Sequence, residues 1–199
     1  MRVKESGLRR AVLEIDASLA SGGWDHPPRL YALVETRRLL EREPALADDL
    51  GLTAAPDARS TGGFTAVEQD PLPAERSLED LLGGIEWPEE VDGCAAAVER
   101  VVLPPSAEEQ LPEDPVALRT YAAQHPDRHE VRIVAAALRD GRAHCTLRIR
   151  GHDDAELLEG AALVPGLLAL VADTLSPGDR GDVAGSGDGG DAAIGRGGT

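Results

Sequence analysis

The chain has 199 residues, a length that suits one globular unit, and a formal net charge of −16 that repels nucleic acid and anionic membrane surfaces. Both are excluded as partners. Only Trp24, Trp87, Tyr31, Tyr121 and Phe64 are aromatic, so any core is built from Leu, Val and Ala.

Leu8, Val12, Ile15 and Leu19 recur with helical spacing and predict an amphipathic helix from Glu5 to Ala20, stopped by Gly22 and Gly23. Pro27 and Pro28 exclude helix and lead into a first strand, Leu30 to Val34. Thr36 is a candidate cap for a helical stretch to Leu50, kinked at Pro44. Residues 53–76 lack periodicity and read as a long loop, broken only by the short apolar run at Phe64 to Val67. Ser77 caps a helix over Leu78 to Leu82, and the valine-rich stretch from Cys94 to Leu103 gives a second strand.

Asp114 followed by Pro115 starts a helix through Gln124 that His125 and Pro126 end. Val131 to Leu138 and Ala143 to Ile149 form a hairpin around Asp140 and Gly141, in a two-residue type I′ turn that pairs Arg139 with Arg142. In that register one face carries Leu138, Ala136, Val134, Cys145, Leu147 and Ile149 toward the core. The other carries His144, Thr146, Arg148 and Arg150 toward water or a ligand. A single turn follows at Ala155 to Leu158, then a last helix to Leu175 with Pro165 in its first turn. Residues 178–199 are rich in Gly and Asp, with Val183 and Ile194 as their large apolar side chains, and are expected to be disordered.

The expected architecture is one α+β domain over residues 1–177. In it the N-terminal and C-terminal helices pack on the apolar face of an antiparallel sheet of about four strands. Met1 to Arg10 has no apolar core, and the longest apolar run, Ala161 to Ala172, is too short for a bilayer, so a cytoplasmic protein is expected. Cys94 and Cys145 match neither a disulfide framework nor a zinc motif and are expected as buried thiols.

No phosphate loop, nucleophile elbow or metalloprotease motif is present, so no catalytic residue, metal ligand or cofactor is assigned. His129, His144 and His152 with Cys145, Asp153 and Asp154 are the only gathering with metal-ligand chemistry, and adjacent His144 and Cys145 point to opposite faces of a strand. The candidate binding surfaces are two. Trp24, Asp25, Pro27, Pro28 and Arg29 form an aromatic and acidic lip before the first strand, a pattern better suited to a Trp anchoring the edge of the core, with Asp25 accepting from loop amides, than to recognition. His144, Arg148 and Arg150 form a cationic face on the hairpin. Between Ala66 and Asp92 nine carboxylates accompany one arginine, and between Arg119 and Arg150 seven arginines accompany three carboxylates, so the cationic face has an acidic stretch of its own chain to pair with.

The segments Trp24 to Val34, Thr65 to Gln69, Val98 to Pro105 and His125 to Arg128 resemble an uncharacterised actinobacterial protein family, over a span from Gly7 to Leu175. The resemblance implies a recurring domain in a GC-rich cytoplasm, in keeping with nineteen arginines against one lysine, and assigns no activity. The element order is also similar to small secretion-chaperone-like folds. A non-catalytic interaction or chaperone-like domain with a protein partner is the leading expectation. The rival is a small hydrolase or metal-dependent enzyme built on Asp25, His26, His144 and His152.

Overall fold

The computed structural model describes residues 6–52, 62–73, 76–151 and 157–176. The expected disordered tail, the expected turn at 155–156 and His152 lie outside the described residues. In chain order the elements are α1 (Gly7–Ser21), β1 (Arg29–Glu35), α2 (Thr36–Arg42), α3 (Pro44–Asp49), β2 (Phe64–Glu68), α4 (Leu78–Leu82) and β3 (Gly93–Val102). A 3₁₀ turn at Pro105–Gln110 leads to α5 (Pro115–Gln124), β4 (His129–Leu138), β5 (Ala143–Ile149), β6 (Leu158–Glu159) and α6 (Pro165–Asp173).

Local chemistry sets the helix starts. Ser6 accepts from the Arg9 amide at the head of α1, Ser77 accepts from the Asp80 amide at α4, and Asp114 accepts from the amides of Val116 and Ala117 at α5. Pro44 and Pro165 occupy the first turns of α3 and α6, where no amide is required. Thr36 is not a cap but the first residue of α2, and its hydroxyl bonds that of Thr65 on β2 at 2.9 Å.

The strands form one antiparallel sheet of six, ordered β2-β1-β3-β4-β5-β6, rather than four. The two additional strands are short edges. β2 lies inside the expected loop of residues 53–76, on the apolar run at Phe64, and β6 takes Leu158 and Glu159.

The first and last helices, α1 and α6, lie on opposite faces, which overturns the expectation that they share one. α1 brings Leu8, Val12, Ile15 and Leu19 onto Tyr31, Leu33, Ala95, Ala97, Val134, Ala136 and Leu138. α4 and α6 bring Leu78, Leu82, Leu167, Leu168 and Val171 onto Leu30, Cys94, Ala96, Val98, Ile133, Ala135 and Cys145. β4 shows why both faces need cover: all eight residues from Val131 to Leu138 are buried, and only Arg132 among them is polar. A strand without alternation is a strand covered twice.

The hairpin exists with a register one residue from that expected. Ala137 pairs with Ala143, Ala136 with His144 and Ala135 with Cys145. The Gly141 amide bonds the Leu138 carbonyl at 3.0 Å, the Leu138 amide bonds the Arg142 carbonyl at 2.9 Å, and Gly141 alone in the loop has positive φ, +84°. That is a three-residue loop with a glycine bulge rather than a type I′ turn. The shift moves Val134, Ala136 and Leu138 onto the His144, Thr146 and Arg148 face, under α1. Gly141→Val is expected to lower the unfolding free energy by about 1–2 kcal/mol, because an L side chain resists the left-handed region. Open space surrounds the added Cβ, so backbone strain alone sets the loss, read from urea unfolding. Unchanged stability would contradict the bulge.

Candidate functional site

The lip and the cationic face meet through Arg150, which pairs with Asp25 and lies over Trp24, just after the end of α1. Two guanidinium groups lie over the Trp24 ring, that of Arg132 at 4.6 Å and that of Arg150 at 5.6 Å from its centroid. Arg132, 1 % exposed, donates to Glu99 Oε1 from Nε at 3.1 Å and Nη2 at 2.7 Å, and also to the Gly23 carbonyl. Arg150 grips Asp25 with two bonds of 2.9 Å and reaches Glu130 at 2.5 Å. Asp25 itself has φ +70°, a conformation Asp tolerates, which turns its amide onto Glu99 Oε2 at 2.7 Å.

The Arg150 hydrogen bonds hold the Asp25 carboxyl below its usual range. That pairing therefore favours the folded chain above the ordinary carboxylate pKa and is lost as pH falls through the lowered value.

Arg148 pairs with Asp16 of α1 at 2.5 Å, where Asp16 is 2 % exposed and Arg148 22 %. His144 Nε2 lies 3.2 Å from Glu159, which Arg9 also holds. Arg29 pairs with Glu68 at 2.9 Å, while Pro27 and Pro28 are exposed. The cationic face thus pairs within the chain, with Asp16, Asp25, Glu130 and Glu159 instead of the acidic stretch from Ala66 to Asp92. α1 covers much of it, burying Thr146 and half-burying His144 and Arg148, while Arg150 at its end stays exposed.

Arg148→Met is expected to cost about 2 kcal/mol, since it strands the buried Asp16 carboxylate. Asp16→Leu leaves an arginine that water can still reach and is expected to cost less. The reverse order in urea unfolding would contradict this pairing.

Among the described members of the rival constellation, Asp25 and His144 do not come together: Asp25 is fixed on Arg150, just past the end of β5, and His144 lies six residues back along the chain, about 20 Å at ~3.3 Å per residue. Among the described residues no three His, Cys, Asp or Glu side chains gather as a metal site. Burial pushes the Cys94 thiol up to about 11 and also raises that of Cys145, so neither is a thiolate nucleophile at neutral pH.

A third surface, absent from the sequence reading, remains unfilled. β3 is buried from Gly93 to Val98 and then runs past the helices, leaving Arg100, Val101 and Val102 exposed. α5 lies beside this end and has no buried residue at all, with Val116 69 % exposed. Between them is a groove of about 640 Å³ lined by Val101, Val102, Leu111, Leu118 and Ala122, with Arg100 and Arg119 at its rim. Among the described residues no carboxylate lines it. Two sequence signals pointed there: successive valines cannot both face one layer of a sandwich, and the apolar residues of α5 do not form one stripe.

A family model described as PPA1309-like protein matches residues 8–176. The chain belongs to the PPA1309-like family. The match covers Trp24, both partners of each ion pair around it and the whole α5 groove, so these features lie within the PPA1309-like domain. No curated protein and no solved structure matches the chain. Among its described residues no helix is long and apolar enough to cross a membrane.

Proposed function

We propose that this PPA1309-like protein is a non-catalytic interaction domain, chaperone-like in presenting a surface, that docks an apolar segment of a partner protein between α5 and the end of β3. The observation that carries this reading is a ten-residue helix with no buried residue beside an apolar groove of about 640 Å³. Such a volume falls within the ~300–1,000 Å³ of ordinary ligand sites, and exposed Val101, Val102 and Leu111 gain by being covered. The Trp24 lip then serves the fold, by locking α1 to the sheet. Nineteen arginines against one lysine support a GC-rich, actinobacterial origin, with a cytosolic location as part of this reading.

The test is selection from a random peptide library on wild-type protein and on Leu118→Asp. Leu118 is not buried in the core, so the variant is expected to melt as the wild type does. Peptides retained by wild type and lost by the variant are the expected result. Failure to enrich any groove-dependent peptide would end the docking reading.

A further inference from the structure

β3 pairs with β1 only from Gly93 to Ala97, whereas its pairing with β4 continues to Val102. Past Ala97, the side of β3 that faced β1 has no strand against it among the described residues. The chain before β1 partly covers that side, since His26 and Pro27 come up against Val98 and Glu99. Arg100, Val101 and Val102 lie beyond that cover and are exposed. Edges that must stay unpaired are ordinarily blunted by lysine, proline or a bulge. This one has two adjacent valines and a regular ladder on its other side.

We infer that the partner enters the groove as an extended segment that adds a strand to β3 at Arg100–Val102, with apolar side chains toward Leu118 and Ala122 and carboxylates toward Arg100 and Arg119. This deepens the docking reading and rests on it. Main-chain bonds to the open edge supply affinity, and pockets for alternate side chains supply selectivity. The charge assignment follows from the rim. In a chain of net charge −16, the described residues that line the groove include two arginines and no carboxylate. Arg119 has no ion-pair partner among the described residues, and Arg100 shares Glu79 at 3.0 Å with both side chains about half exposed.

A second copy is a poor occupant. It would bring the same arginines face to face between two molecules of charge −16. Residues 177–199 of the chain itself supply only Val183 and Ile194 as large apolar side chains, too few to fill the groove.

The probe is a nine-residue peptide alternating Val and Glu, titrated against the full chain with amide exchange and nitrogen-15 spectra as readouts, beside a peptide alternating Val and Lys. The expected result is binding at least tenfold tighter for the Glu peptide. Slowed exchange at alternate amides of Arg100–Leu103, weakening by Arg119→Glu, and weakening by added salt are expected with it. Equal binding of the Lys peptide, exchange unchanged along Arg100–Leu103, or no binding of the Glu peptide would overturn strand addition. Groove-dependent library peptides that bind without protecting β3 would leave docking standing while strand addition fell. A library with no such peptide removes both.

Discussion

Arg132→Met is expected to lower the unfolding free energy by about 3–5 kcal/mol, the loss that follows when one partner of a buried ion pair is removed. The arginine is 1 % exposed, Glu99 has only 16 % of its side chain exposed, and the Trp24 ring rests on the guanidinium. Methionine restores part of the volume and none of the charge, so Glu99 is left with the Asp25 amide as its remaining bond. Adding Glu99→Gln to the variant is expected to recover part of the loss, because it removes the stranded charge. Urea unfolding of the two single variants and the double variant reads this directly. A loss under about 1 kcal/mol for Arg132→Met would mean that the arginine–tryptophan stack contributes little.

Gly93→Val is expected to cost about 3 kcal/mol, at the upper end for overpacking, with a fall in melting temperature of roughly 6–12 °C. A Cβ at this position would lie 2.4 Å from the Ala137 carbonyl oxygen and 2.5 Å from Leu138 Cδ2. The first of these is backbone of the neighbouring strand, held in register by the whole ladder from Gly93 to Val102, and it has nowhere to go. The cause is the opposite of that at Gly141, where space is open and only the dihedral resists. A variant that melts with the wild type would show that β3 and β4 separate easily at this end.

Much of the element content was legible because it rests on local chemistry. Ser77 and Asp114 start helices through their own side chains, and the prolines at 27, 28, 44 and 165 leave little choice of conformation. What failed depended on context. The turn around Asp140 and Gly141 admits two loop lengths, and the choice of a bulge moved every β4 side chain to the other face. β2 is five residues between glycine-rich and proline-rich stretches, too short for periodicity to mark without its partner β1.

The site divides in the same way. Trp24 and Asp25 stood out as a pair that needs partners. Composition could not say that the partners are Arg132 and Arg150, more than a hundred residues away. The groove depends on where β3 outruns the helices, a property of three elements together and of none alone.

The middle of the sheet is almost all alanine. Ala95, Ala96 and Ala97 lie against Ala136, Ala135 and Val134, and the six alanines at 95–97 and 135–137 are all buried. Ordering an alanine side chain costs essentially no rotamer entropy, yet each also withdraws little apolar surface from water. Together with a chain that has only five aromatic residues, this predicts an unfolding heat capacity per residue below the usual ~12–15 cal/mol/K. The stability of such a protein changes slowly with temperature. Its curve is broad and low rather than steep, and scanning calorimetry across a range of pH would trace it.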